Sequence, residues 1–303
     1  MRVILAENAG FCFGVDRAIN IALKAGKSGK SATLGPIIHN SAVVKMLQEN
    51  SVREVNSIEE LEHGETAIIC SHGAPKRIYD ELESREIKYI DATCPYVKRI
   101  HNIVASESRE GRQVVIFGDR EHTEVVGIAG WCDHPVIIGS NEELKELENY
   151  ISDREKPLSV VSQTTSSGIF WEESIKFIKK EYTNVKKFDT ICNATTFRQR
   201  DAAELSAGCD AMVVIGDRRS ANTRRLYEIC KGICANVWHI ENADELVSSE
   251  FKNFSSVGIT AGASTPKWII EEVMRKMSEE VKKEQNEQEE TLYCECCGCL
   301  IGD

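Results

Sequence analysis

Three cysteines stand at a recurring spacing that constrains this chain more than any other feature. Cys12, Cys94 and Cys192 are 82 and 98 residues apart, and the second and third follow an aspartate by three residues, at Asp91 and Asp189. Beyond each comes an apolar run ending in glycine, in ATLGPIIHN, VVIFGDREHTE and MVVIGDRRSANT. Those glycines, Gly35, Gly118 and Gly216, lie 23, 24 and 24 residues past their cysteines, and four residues later stand His39, His122 and Ser220. A second apolar run then breaks into a polar turn, in AIICSHGAPK, SVVSQTTSSG and VGITAGASTPK, carrying His72, the Gln163–Thr165 run and Ser264. Repetition at near-constant offsets marks one supersecondary unit used several times.

Each unit reads as cysteine, helix, strand and loop, helix, strand, helix, strand and loop, helix. Such alternation predicts α/β units with mostly parallel sheets. The helix after Cys12 carries Val15, Ala18, Ile19, Ala22 and Leu23 on one face, and the helix after Cys94 carries Val97, Ile100 and Val104. The last helix is capped by Ser264 or Thr265, opens with Pro266, and shows Ile270, Val273, Met274, Met277 and Val281 as its stripe. The expectation is therefore an α/β protein of three similar α/β domains about a pseudo-threefold axis: residues 1–93, 94–190 and 191–283. Ligands would sit at strand carboxyl ends. Residues 284–303 form a tail, in which KKEQNEQEE reads as a flexible polar linker. TLYCECCGCLIGD, with Cys294, Cys296, Cys297 and Cys299, reads either as a soft-metal binder or as a disordered end.

Composition narrows the function classes. A net charge of −11 over 303 residues excludes a general nucleic-acid binder and argues against an anionic membrane surface as partner. No apolar run reaches transmembrane length and no signal-peptide pattern opens the chain, so a cytoplasmic location is expected. There, twelve cysteines read as thiols, metal ligands or redox groups. Cys70, Cys132, Cys209, Cys230 and Cys234 fall in or beside apolar segments and read as small buried hydrophobes.

A threefold axis gives three lone cysteines a shared purpose. Each precedes a predicted helix, whose N-terminal dipole favours thiolate. Three thiolates could hold zinc, or three corners of a [4Fe–4S] cluster with one iron left without cysteine. His39, His72 and His122, with Thr164, Ser220, Asn222 and Ser264, form a donor set suited to phosphate or diphosphate. Glu124, two residues past His122, is a carboxylic acid that could carry a proton to a leaving hydroxyl. His63, His101, His134 and His239 fall outside this scheme.

The segments GFCFGV, GPIIHN, SHG, DATCP, GDREHTEVVG, SQTT, ICNATTFRQ, SANT and TAGASTP, in this order from about Met1 to about Lys283, resemble the 4-hydroxy-3-methylbut-2-enyl diphosphate reductases, the LytB family. The resemblance implies a three-domain trefoil around one [4Fe–4S] cluster per chain, held by Cys12, Cys94 and Cys192. It implies removal of the allylic hydroxyl of (E)-4-hydroxy-3-methylbut-2-enyl diphosphate, giving isopentenyl and dimethylallyl diphosphates in the last step of the non-mevalonate pathway. Electrons would come singly from reduced ferredoxin or flavodoxin. His39, His72, Ser220, Asn222 and Ser264 would bind the diphosphate, His122 would organise the proton path, Glu124 would donate the proton, and Thr164 would contact the substrate hydroxyl. Two departures stand out. The family's usual Ser-Ser-Asn is Ser220-Ala221-Asn222 here, which removes one hydroxyl and leaves the Ala221 backbone N–H as donor. A hydrogen bond to a charged group is worth roughly 1.5–3 kcal/mol, so weaker substrate binding is expected. The cysteine-rich tail has no counterpart in the resemblance. Two rival readings remain open from residues alone: a zinc-dependent hydrolase of a phosphorylated substrate, built on the histidines and Glu124, and a cysteine-rich metal or redox sensor working through the tail.

Overall fold

The strands are short and rich in Val, Ile and Ala, while the segments between them carry apolar residues at helical spacing. The computed structural model describes residues 1–291. After β1 (Arg2–Leu5), the first repeat runs through α1 (Phe13–Ser28), β2 (Ser31–Leu34), α2 (Ser41–Glu49), β3 (Val52–Val55), β4 (Thr66–Ile69), α3 (Lys76–Ser84) and β5 (Tyr89–Asp91). The second runs through α4 (Pro95–Arg109), β6 (Gln113–Phe117), α5 (Thr123–Ala129), β7 (Val136–Ile138), α6 (Asn141–Lys145), α7 (Leu147–Tyr150), β8 (Leu158–Ser162), α8 (Gly168–Glu181) and β9 (Val185–Lys187). The third runs through α9 (Asn193–Gly208), β10 (Ala211–Ile215), α10 (Ala221–Ile233), β11 (Val237–Ile240), β12 (Ser256–Ala261) and α11 (Lys267–Thr291).

The strands form three four-stranded parallel sheets of one topology: β3-β2-β4-β5, β7-β6-β8-β9 and β11-β10-β12-β1. Parallel sheets are covered on both faces, which is why β8 and β10 are buried along their whole length. Alternate residues feed opposite cores. Val115, Phe117 and Val160 join one apolar cluster while Val114, Ile116 and Val161 join another. Val213 and Ile215 likewise separate from Met212 and Val214. The expected stripes of α1, α4 and α11 face these cores, with Val15, Ala18, Ile19, Val97, Ile100, Val104, Ile270 and Val273 buried. Cys70, Cys230 and Cys234 are core residues, and Cys132 and Cys209 pack half-buried against core clusters.

Two sequence expectations change. Residues 1–93 are not one unit at their start, because β1 pairs with β12, from Arg2 opposite Ser256 to Leu5 opposite Ile259. Among the described residues the third repeat ends in α11 with no fourth strand of its own, and the chain's first strand covers the edge of β12. The fourth strand of each sheet then leads into a cysteine: β5 into Cys94, β9 into Cys192 and β1 into Cys12. The second change concerns the linker. α11 continues through Thr291, since Lys, Glu and Gln are strong helix formers. The four tail cysteines lie outside the described residues.

A chain starting at Asn8 should lose the third sheet first. Hydrogen exchange at the amides of β12 should accelerate by several orders of magnitude while β6 and β8 stay protected; unchanged β12 protection would show that β1 is dispensable.

Candidate active site

The two central strands of every sheet, β2 and β4, β6 and β8, β10 and β12, end on the loops singled out from the sequence. This is where the strand order reverses, the usual ligand site of such sheets. One cleft collects Cys12, His39, His72, Cys94, His122, Glu124, Thr164, Cys192, Ser220, Ala221, Asn222 and Ser264, in about 780 Å³ of atom-free space partly open to solvent. All twelve sequence candidates are thus brought together. Three equivalent backbone bonds hold the loops in place. Cys12 N donates to Ala263 O at 3.2 Å, Cys94 N to Ser71 O at 2.9 Å and Cys192 N to Thr164 O at 3.0 Å.

Each of the three cysteines is the N-cap residue of its helix, α1, α4 or α9, and none of their side chains accepts a capping bond. A Cβ built on Gly14 would lie 2.6 Å from Cys94 Sγ and 3.9 Å from Cys12 Sγ, so only glycine lets the two sulfurs share this space. The expected bias toward thiolate is not what the bare site has. Burial raises the Cys94 and Cys192 thiols, and the first-turn N–H groups of Tyr96 and Val97, and of Ala194 and Thr195, only partly offset it. Repulsion from Cys12 adds to the rise in both. Desolvation outweighs the helix terminus, so the thiolates need a cationic partner. Among the described residues, no three His, Cys, Asp or Glu side chains converge on a single metal ion. Three half-buried thiols lining one cleft form a donor set that could hold a metal group taking one thiolate from each.

The histidines pack against one another. His39 and His72 stack with centroids 5.2 Å apart, and His122 meets them edge-on at 5.5 Å and 6.5 Å. Burial, with repulsion from the other two, pushes His72 down to about 3; burial and His39 bring His122 to about 4; burial lowers His39. Burial thus favours the neutral form of all three imidazoles, and an anion beside them would oppose it. His122 caps α5, and its Nδ1 accepts the Glu124 N–H at 3.1 Å. That bond puts the ring proton of neutral His122 on Nε2.

Glu124 is buried, and burial raises its pKa against two opposing bonds: Thr164 N donates to Oε1 at 2.7 Å and Thr164 Oγ1 to Oε2 at 2.8 Å. Opposite stands the α10 N-terminus, where Ser220 Oγ accepts Thr223 N and the Ala221 N–H is a first-turn donor. Asn222 Oδ1 and Nδ2, Ser264 Oγ and Thr165 Oγ1 are buried with no protein partner among the described residues. Unpaired buried polar groups cost roughly 1–3 kcal/mol each, so this set is built for a polar ligand. Sequence reasoning missed Thr165, Thr195 and Arg198 in this cleft. Thr165 is the second threonine of the Thr164-Thr165 step, Thr195 the first of the Thr195-Thr196 step, and Arg198 sits in the quoted ICNATTFRQ segment without having been weighed.

Residues 3–278 match the family profile described as LytB protein. The chain is 44% identical over 293 residues to the 4-hydroxy-3-methylbut-2-enyl diphosphate reductase of Caldanaerobacter subterraneus subsp. tengcongensis, covering 95% of this chain and 100% of that one. It is 42% identical over 282 residues to the enzyme of the same name from Alkaliphilus oremlandii, covering 92% and 99%. Two solved structures are similar. One is an (E)-4-hydroxy-3-methyl-but-2-enyl diphosphate reductase described as the terminal enzyme of the non-mevalonate pathway, at 41% identity and TM-score 0.67 over 92% of this chain and 100% of that one. The other is the corresponding reductase from Plasmodium falciparum, at 25% identity and TM-score 0.85 over 90% and 87%.

An anion at the neutral histidines should raise their pKa values, so its binding should take up protons. Affinity for inorganic diphosphate should fall as pH rises through the bound-state pKa. Calorimetry in buffers of different protonation enthalpy should report uptake beyond the ligand's own ionisation; buffer-independent heat would mean the rings act only as neutral N–H donors.

Proposed function

This chain belongs to the LytB protein family, and from that premise we propose that it is a 4-hydroxy-3-methylbut-2-enyl diphosphate reductase, the terminal enzyme of the non-mevalonate isoprenoid pathway. The observation that carries the reading is a single cleft holding three helix-capping cysteines, a buried acid and a set of unpaired polar groups. Cys12, Cys94 and Cys192 would hold one [4Fe–4S] cluster per chain, leaving one iron without a cysteine ligand. When bound, the cluster would supply electrons and Lewis-acid chemistry. The electrons come singly from reduced ferredoxin or flavodoxin.

The reaction breaks the allylic C–O bond and consumes two electrons and two protons. One proton leaves with the hydroxyl as water, and the other forms a C–H bond at either end of the allyl unit, giving isopentenyl or dimethylallyl diphosphate. His39, His72, Ser220, Asn222, Ser264 and the Ala221 N–H bind the diphosphate through short donors on three loops. Such a grip places the hydroxyl end against Glu124 and lowers the entropy cost of the step. Glu124 holds its proton because its carboxyl is buried, and Thr164 orients both carboxyl oxygens while contacting the substrate hydroxyl. The His122 Nδ1 bond to the Glu124 N–H fixes the start of α5, so the acid and the imidazole move as one element. The apolar walls Val15, Ile38 and Val97 limit water around the allyl carbons.

Iron and acid-labile sulfide, measured on protein purified without oxygen, should each come to about four per chain; zinc without sulfide would overturn the reading. Glu124→Gln keeps the acceptor for Thr164 but has no acid proton. It should retain iron and lose turnover by roughly a hundredfold or more, and unchanged turnover would remove Glu124 from the role. Restoring the missing hydroxyl with Ala221→Ser should tighten diphosphate binding by about tenfold or more, from a bond of roughly 1.5–3 kcal/mol.

A further inference from the structure

Arg198 is buried at 6% exposure in the second turn of α9, the helix that follows Cys192, and it lines the cleft with Cys12 and Cys192. Its Nη1 donates to Ala194 O at 2.9 Å, two residues past Cys192, and its Nη2 to Gly10 O at 2.7 Å, two residues before Cys12. Its Nε has no partner. The acid nearest in sequence is engaged elsewhere: Asp201 accepts Asn8 N and Nδ2 and faces Arg200. Arg198 therefore belongs to none of the ion pairs among the described residues. A buried cation without a carboxylate is costly, and it persists where another charge answers it.

We propose that Arg198 is a positioning residue for the iron–sulfur group, bridging the turns that carry Cys12 and Cys192 and placing a buried positive charge beside both sulfurs. The inference rests on the cluster reading above. Its guanidinium lines the same cleft as Cys12 and Cys192, so once these two are held as thiolates their sulfurs are its counter-charges. A fixed cation near an anionic group favours the state with one more electron, so Arg198 raises the reduction potential of whatever the three thiolates hold. Arg17 offers an internal comparison. It sits in α1, five residues past Cys12, and its Nη1 donates to Ala92 O at 3.3 Å and Thr93 O at 3.1 Å, just before Cys94. It bridges the next pair of turns in the same way but is only half-buried, so solvent screens its charge.

The test is a redox titration of anaerobically purified full-length protein, read by the cluster's electron paramagnetic resonance signal beside iron and sulfide content. Arg198→Gln should lower the equilibrium constant for one-electron reduction at least tenfold, a shift of about 59 mV to more negative potential. Arg198→Lys, which keeps the charge, and Arg17→Gln, which loses a screened one, should stay within about threefold of wild type (under half of that shift). An Arg198→Gln protein with full iron content and wild-type potential would overturn the proposal. If Arg198→Gln holds no cluster, Arg198→Lys decides: cluster at wild-type potential supports the charge role, and a missing cluster or a shifted potential overturns it. Iron and sulfide absent from the wild-type chain would instead overturn the cluster assignment, and this inference with it.

Discussion

The structure depends on three backbone hydrogen bonds. The N–H of each cysteine, at the mouth of its helix, donates to a carbonyl on the loop after a neighbouring central strand: Cys12 to Ala263, Cys94 to Ser71, Cys192 to Thr164. Those loops carry Ser264, His72 and Thr164, so each cleft cysteine is tied to a loop bearing another cleft residue. Displacing any loop would move a sulfur and a ligand donor together. The sheets that end at these loops are parallel and covered on both faces, which gives them a stiff apolar footing.

The second constraint is electrostatic. Desolvation is the largest cause of the lowered pKa of the three half-buried histidines and of the raised pKa of buried Glu124 and of half-buried Cys94 and Cys192. Burial thus favours neutral imidazoles, a protonated acid and neutral thiols, and a cation at these sulfurs or an anion at the imidazoles would oppose it. Arg198 is the exception, a charge built in permanently between two of the cysteine turns.

A symmetric scaffold here supports an asymmetric reaction. The first unit supplies His39 and His72, the second supplies His122, Glu124 and Thr164, and the third supplies Ser220, Asn222 and Ser264. In the proposed reading the histidines and neutral donors take the anionic tail, and Glu124, the buried acid of the cleft, supplies the proton. Because the loops are interchangeable in position but not in residue, chemistry could diverge on them without disturbing the strands beneath.

Much of this was legible in the sequence because both signals are local or periodic. The apolar runs and the helical stripes around Val15, Val97 and Ile270 report burial through spacing alone, and the near-equal distances from cysteine to glycine report repetition. Cys12, Cys94, Cys192 and the loop positions His39, His122 and Ser220 followed from the same repeat, while Ala221 entered only through the family resemblance. What sequence could not decide was long-range pairing and net electrostatics. Nothing local distinguishes β1 as the partner of β12, because a strand's neighbour across 250 residues is chosen by which edge remains open after folding. Nor does a cysteine before a helix reveal whether the dipole or desolvation wins, since that depends on how much protein closes over the sulfur, and here it is desolvation. Arg198 was overlooked because an arginine in a helix reads as solvated; only the fold shows it turned inward between Gly10 and Ala194. The sequence by itself therefore determined the repeat and the cores, and named the candidate residues that the fold gathers in one cleft. The tertiary structure alone decided which strand closes the third sheet and which charges survive burial, because both depend on contacts between segments far apart in the chain.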